Sequence, residues 1–258
     1  MVEQRILEAG ALNMARMWEA PARSIGGRWA RWDDAWAADS GLPTRVFNRV
    51  TILRRLNSSA APELAERINK FYGVNPNGGE YLVNDPWATL RLEPHGFERW
   101  WSLPFMFRPA GGAPSQISDL EIRKVRSGRD LEAFVHTLVE GFAIAELENL
   151  PASSIMNKKV LDDGAMQCWV GIAEGRAIGT SVAYLSDGVV GVYLISVVPA
   201  MRRHGFGETL TWKATLADHT APSTLQSSEL GRPVYERMGY ITALECATWL
   251  KASRTPAL

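Results

Sequence analysis

From Val189 to Val198 the chain is almost wholly apolar and largely β-branched, and Pro199 stops the run. Such a stretch reads as a buried strand. It is followed at once by Arg202-Arg203-His204-Gly205-Phe206-Gly207-Glu208, after which Phe206, Leu210, Ala214 and Ala217 fall on one helical face. A strand, a basic glycine turn and a helix form an anion site, because glycine lets the backbone approach a ligand and the first helical N–H groups have no partner within the helix. A chain carrying this unit is constrained to an α/β architecture with a phosphate-sized seat at the strand's carboxyl end.

Gly-x-Gly after a strand has several uses, and two of them fail here. The lysine and serine of a nucleotide phosphate loop are missing, and the third glycine of a dinucleotide fingerprint is replaced by Leu210. What remains, Val198-Pro199-x-x-Arg202-Arg203-x-Gly205-x-Gly207, resembles the acetyl-coenzyme A loop of the GNAT family of N-acetyltransferases. The family's later pattern of serine, then glycine, then Leu-Tyr-Glu-x-x-Gly-Phe is similar to Ser227-Ser228-Glu229-Leu230-Gly231-Arg232-Pro233-Val234-Tyr235-Glu236-Arg237-Met238-Gly239-Tyr240, at the family's separation from the loop.

The resemblance implies an acetyl transfer from acetyl-coenzyme A to a primary amine of a small molecule or peptide, by direct attack. The backbone from His204 through Gly205, Phe206 and Gly207 to Glu208, with Arg202 and Arg203 alongside, is then the candidate for holding the pyrophosphate. Main-chain groups of Ile195, Val197 and Val198 would pair with the pantetheine arm, and an N–H near Ile195 would polarise the thioester oxygen. Ser227 and Gly231 would lie along the arm, and Tyr235 matches a tyrosine that protonates the leaving thiolate. The resemblance is incomplete at one place. Relatives carry a glutamate on the strand before the loop, whereas Val192-Tyr193-Leu194-Ile195-Ser196 has none. Glu140, Glu146 and Glu148 are the remaining candidates for a general base, with Tyr193 as a candidate for ordering a water, and an amine arriving neutral would need no base. Without that glutamate a second reading stays open, a non-catalytic acyl-coenzyme A sensor.

Composition narrows the partners. Of 258 residues 28 are basic and 28 acidic, so no global charge favours nucleic acid or an anionic membrane. Cys168 and Cys246 form no ligand or disulfide spacing, His95, His136 and His219 have no partners at metal spacing, and the first residues show no basic-then-apolar signal. The expectation is a cytoplasmic protein without a metal, monomeric or homodimeric.

Four segments follow from the pattern. Residues 1–43 read as helical, with Leu7, Leu12, Met14 and Met17 before Pro21 and with Trp29, Trp32 and Trp36 at helical spacing, a face for packing or the wall of an acceptor pocket. Residues 44–110 alternate: strand 47–53, helix 62–72, strand 80–83, a helix opened by Asp85-Pro86 and ended by His95-Gly96, and strand 97–107. Shifted by 143 positions, this order coincides with 189–250, placing Gly96 on Gly239 and Leu82 on Leu225, while Pro62 and Leu64 stand where Gly205 and Gly207 stand. The segment therefore reads as a degenerate GNAT-like half that has lost the coenzyme loop. Residues 111–115 are the linker.

Residues 116–258 complete the acetyl-coenzyme A domain. A strand at 120–125 precedes the capping box Ser127-x-x-Asp130 and a helix bearing Leu131, Phe134, Val135, Leu138 and Val139, closed by Gly141. A second helix is expected over 152–161, then antiparallel strands 166–174, 177–184 and 189–198. The fold class is mixed α/β, a mostly antiparallel sheet flanked by helices, in tandem with its degenerate first copy.

Overall fold

The computed structural model describes residues 2–74, 79–114 and 118–252. In chain order its elements are α1 (Val2–Ser24), β1 (Arg28–Arg31), β2 (Ala35–Asp39), β3 (Arg49–Ile52), α2 (Ala61–Tyr72), β4 (Tyr81–Asp85), β5 (Glu98–Arg108) and β6 (Glu121–Lys124). There follow α3 (Gly128–Phe142), α4 (Ala152–Ile155), β7 (Met166–Ala173), β8 (Arg176–Ser186), β9 (Val189–Val197), α5 (Phe206–Thr215), β10 (Ser223–Gln226), α6 (Arg232–Arg237) and β11 (Ile241–Lys251).

All described strands join one sheet in the order β1-β2-β3-β4-β11-β5-β10-β9-β8-β7-β6. Its pairs are antiparallel except β3 with β4 and β9 with β10. Alternation along the strands sorts the core. Cys246 and Phe105 face α1 and α3, Val83 and Trp249 face α2, and Leu225 and Met106 face α5.

Local chemistry explains the elements. Ser127 Oγ accepts from the Asp130 N–H at 3.1 Å and the Asp130 carboxylate accepts from the Ser127 N–H at 3.0 Å, so α3 starts where its capping box stands. Glu174-Gly175 and Asp187-Gly188 are two-residue hairpin loops with both residues at positive φ (52° and 76°, 56° and 75°), the mirror-image turn that suits twisted strands.

Several expectations are corrected. The segment 1–43 is not helical throughout: α1 runs past Pro21 to Ser24, Gly26 turns the chain at φ 80°, and the three tryptophans lie on and beside the β1–β2 hairpin. They do not share a face, since Trp36 is stacked by Arg16 and Arg31 from the α1 side whereas Trp32 meets Phe71 and Arg67 of α2. Their spacing of three and four fitted a helix by coincidence. Residues 86–95 hold no α-helix either. The buried Asp85 carboxylate accepts from the N–H groups of Trp87, Thr89 and Leu90, pinning an irregular turn with Ala88 at φ 51°, and only a 3-10 turn at Glu93–His95 precedes Gly96. Gly141 lies inside α3, which ends at Ala143 (φ 52°). The segment 152–161 breaks at Met156, after which the Asn157 side chain caps a separate 3-10 turn, Lys158–Asp162. Ser115 and the boundary at 116 lie outside the described residues.

The shift of 143 reappears as geometry. It carries Glu98–Arg108 onto Ile241–Lys251 end for end. In the two parallel pairs Arg49 lies opposite Leu82 and Val190 opposite Ser223, each 33 positions on. Between β5 and β11 the register slips twice, at Trp100 on β5 and at Ala243 on β11, again 143 apart. The correspondence also reaches further forward than residue 44, because β1-β2-β3-β4 occupies one wing of the sheet as β7-β8-β9-β10 occupies the other, with each half's last strand crossing to the partner wing.

Candidate active site

The strands β9 and β10 pair only where Val190 meets Ser223 and Gly191 meets Thr224, although β9 runs on to Val197. Beyond Gly191 the edge of β9 that faces β10 is open. On its other edge β9 stays paired with β8 as far as Val197, with one irregularity between Thr180–Ser196 and Val182–Tyr193. The residue responsible is Leu194, a non-glycine at φ 50°. A branched residue in the left-handed region costs about 1–2 kcal/mol, and the surroundings hold it there. The fully buried Thr180 hydroxyl donates to the Leu194 carbonyl at 2.7 Å and lies 2.8 Å from Ser196 Oγ. Replacing Thr180 by valine leaves that carbonyl and the serine without a partner, and chemical denaturation should show a loss of about 1–3 kcal/mol.

After Val197 the chain makes a 3-10 turn at Pro199–Met201 and enters α5 through Arg203 (φ 66°) and Gly205 (φ 78°). No side chain caps α5, so its first N–H groups are left for another partner. A Cβ at Gly205 would meet only Ser118 at 3.8 Å, and one at Gly207 only Val197 at 3.8 Å. The packing of the chain itself therefore does not demand bare backbone at these two positions. They border open space, with Arg203 exposed beside it, at the kind of helix N-terminus that takes an anion.

The other residues singled out in the sequence divide. Arg202 spends its guanidinium on the Gly141 carbonyl (2.9 Å) and the Val197 carbonyl (3.1 Å), tying the end of α3 to the end of β9. His204 stacks on Phe206, with Nδ1 2.8 Å from the Arg202 carbonyl, which places the proton on Nδ1. Glu208, in the first turn of α5, faces Arg237 at 3.6 Å. The N–H of Val198 donates to the Ile178 carbonyl and the Val197 carbonyl accepts from Arg202. Ile195 comes next after the bulge, on the stretch of β9 that β10 leaves unpaired.

Ser227 is sealed: fully buried, it donates from its hydroxyl to the Ser228 carbonyl and from its N–H to the Pro104 carbonyl. Gly231 makes room for Tyr235 rather than for a ligand, since a Cβ there would stand 2.8 Å from the tyrosine ring. Tyr235 is half-buried between Tyr240 and α5, and desolvation pushes its pKa up by more than the neighbouring Thr211 hydroxyl pulls it down. The three glutamates are exposed, and Glu140 faces Arg176 at 3.5 Å. Tyr193 gives its hydroxyl proton to Asn13 of α1 at 2.7 Å, so it is not free to order a water.

Sequence reasoning missed Thr180, Leu194 and Asn13. A polar residue on the apolar face of α1 marked Asn13, and a threonine inside an apolar strand marked Thr180, whereas nothing in the sequence marks Leu194 as left-handed. Among the described residues there is no group of three or more histidine, cysteine or acidic side chains placed to hold a metal, and no helix long and apolar enough to cross a membrane.

Comparison with known proteins agrees with this geometry. Residues 139–246 match the family model described as an acetyltransferase (GNAT) domain. No curated protein matches the sequence. Among solved structures, a GCN5-related N-acetyltransferase from Kribbella flavida is similar over 94% of this chain and 97% of its own, at 15% identity and a TM-score of 0.64. A putative GNAT-family acetyltransferase from Novosphingobium aromaticivorans (15% identity, 93% of this chain and 99% of its own, TM-score 0.56) shares the fold. So does a GCN5-related N-acetyltransferase from Sphaerobacter thermophilus (16% identity, 96% and 94%, TM-score 0.56). The matched span of residues 139–246 takes in the open strand, the glycine turn and the last helix, so the likeness to a GNAT acetyltransferase domain lies in the C-terminal half of the chain.

Proposed function

We propose that the protein moves an acetyl group from acetyl-coenzyme A to a primary amine of a small molecule or peptide, in a ternary complex, in the cytoplasm. The observation that carries the reading is the open edge of β9, with its bulge at Leu194, next to the uncapped glycine turn of α5. Pantetheine adds to that edge as a short extra strand, and the Ile195 N–H supports the thioester oxygen as negative charge develops on it. The neutral amine nitrogen attacks the carbonyl carbon, the C–N bond forms, the C–S bond breaks, the nitrogen releases one proton to solvent, and the thiolate takes up one.

Tyr235 is the donor in this reading. Its raised pKa keeps the phenol protonated at neutral pH, and because an ordinary thiol has a pKa of about 8.5 its main contribution is a hydrogen bond to the sulfur while charge accumulates. None of Glu140, Glu146 and Glu148 has the buried setting of a general base, so the amine arrives neutral and the proton its nitrogen sheds on forming the amide goes to solvent.

We also propose that the N-terminal half is a degenerate copy without a coenzyme seat. Its parallel strands β3 and β4 stay paired through Arg49–Leu82, Val50–Val83 and Thr51–Asn84, and Pro62 and Leu64 replace the two glycines. The absence of a carboxylate on β9 is what favours the alternative, a non-catalytic acyl-coenzyme A sensor.

Thiol release with a panel of amines separates the two. Turnover above hydrolysis is expected, and Tyr235→Phe should lower kcat by about a hundredfold or more without weakening coenzyme binding. Tight binding with no turnover for any amine would leave only the sensor.

A further inference from the structure

The geometry points to a recognition site, supplied by the N-terminal half, for an acidic group on the acceptor: Arg49 of β3 takes the carboxylate or phosphate of an amine that carries one. This rests on the transferase reading above and names its substrate class.

Arg49 differs from the other arginines around it. Arg28 is paired with Asp39, Arg31 with Glu19, Arg45 with Glu80 and Arg67 with Asp34. Arg49 has no carboxylate partner among the described residues. Its guanidinium lies over the Trp18 ring at 4.5 Å and its Nε donates to the Val46 carbonyl at 3.0 Å, which leaves both terminal nitrogens unspent. Burial pushes its pKa down to about 10, so it stays charged at neutral pH.

The titratable groups that act on it besides Arg45 are the buried Tyr72 and Cys246, both held un-ionised by burial. Among the described residues the indole N–H of Trp18, a residue 7% exposed, has no hydrogen-bond partner. Cys246 lies in electrostatic reach of Arg49 and beside the Gln226 amide. Asp85 also acts on Cys246, but its oxygens are held by backbone N–H groups. A fixed cation stacked on a ring whose N–H is idle is suited to an oxyanion, for which the planar guanidinium offers two parallel bonds.

The site lies toward the reaction centre. Gln226 ends β10 at the border of the opening, and extending the β9–β10 register would set it opposite Tyr193, the residue before the bulge. An amine whose oxyanion rests on Arg49 thus extends from the N-terminal wing toward the thioester.

The test compares amines that differ only in the acidic group: β-alanine against β-alaninamide for the carboxylate, and O-phosphoethanolamine against ethanolamine for the phosphate. At least one acidic amine should be used about tenfold or more better, by kcat/KM, than its uncharged partner. Arg49→Met should erase that preference, Arg49→Lys should keep part of it, and the Kd for acetyl-coenzyme A should change in neither. Equal use within both pairs, or a preference that survives in Arg49→Met, overturns the proposal. Calorimetry of the same four amines on native and Arg49→Met protein reads the preference without turnover. If the coenzyme binds but no amine releases thiol, the transferase reading fails, and the binding preference still decides the role of Arg49 by the same criteria.

Discussion

Gly205→Glu should bind acetyl-coenzyme A at least a hundredfold more weakly than the native chain while remaining folded. Gly205 opens α5 at φ 78° with open space beside it, so a glutamate meets no steric barrier inside the chain. The backbone penalty for a side chain in the left-handed region is about 1–2 kcal/mol, which a domain of this size tolerates. The effect on binding is larger, because a carboxylate is placed where the helix N-terminus is proposed to hold phosphate. Loss of one or two charge-assisted hydrogen bonds at about 1.5–3 kcal/mol each corresponds to a loss in affinity of about tenfold to about twenty-thousandfold, before repulsion between like charges is counted. Gly175→Glu is the control. It sits at φ 76° in the β7–β8 turn with nothing within 4 Å, so it carries the same backbone penalty and should bind the coenzyme normally.

Asn13→Leu should lower the unfolding free energy by about 3 kcal/mol or more, read by chemical denaturation, the largest stability effect expected of a single polar substitution here. Asn13 is fully buried on α1 and fastens that helix to the β8–β9 hairpin. Its amide donates to the Tyr184 carbonyl at 2.8 Å and to Ser186 Oγ at 3.0 Å, and its carbonyl accepts from the Tyr193 hydroxyl at 2.7 Å. Leucine removes these three bonds at once, with two longer ones at 3.4 Å to the Ser186 and Val189 carbonyls. Of the groups left behind, the Tyr193 hydroxyl has no partner in the interior and costs about 1–3 kcal/mol, while the Tyr184 carbonyl keeps its place opposite Gly191 in the β8–β9 ladder, and the rest of the loss comes from the amide bonds that no longer hold α1 to the hairpin. Burial already drives the Tyr193 pKa well above its ordinary value, so ionisation offers no escape. Adding Tyr193→Phe should recover about 1 kcal/mol, since it removes the stranded hydroxyl along with its demand. Gly191 belongs to the same clasp: a Cβ there would stand 2.0 Å from Asn13 Oδ1.

Much of the C-terminal half was legible because local chemistry and tertiary packing agree in it. The Ser127–Asp130 capping box, the two turns ending in glycine and the apolar run of β9 each specify their own element, and the structure places them where the residues indicate. The N-terminal segment was not, because local and tertiary signals conflict there. Three tryptophans at helical spacing belong to a hairpin whose decisive residues are Gly26 and the turn at Asp33-Asp34, and a proline sits inside a helix held along its length by β2, β3, β8 and β9. Asp85-Pro86 looked like a helix start, yet the carboxylate is buried and captures N–H groups of an irregular turn.

The candidate site shows the same division. The glycine turn was readable as a motif, whereas the bulge at Leu194 depends on a hydroxyl from the neighbouring strand, 14 positions away in sequence. Arg49 could not be found from the sequence at all. Its distinction is the absence of a carboxylate that nearby arginines in the same half possess, which is a property of three-dimensional neighbours.

The central claim is that a chain built from two corresponding halves keeps one coenzyme seat, between β9 and α5. The most direct measurement is the stoichiometry of acetyl-coenzyme A binding by titration calorimetry on the native chain. One molecule bound per chain is the expected result, with heat lost in Gly205→Glu and kept in Gly175→Glu. No binding, or two molecules bound per chain, would contradict it.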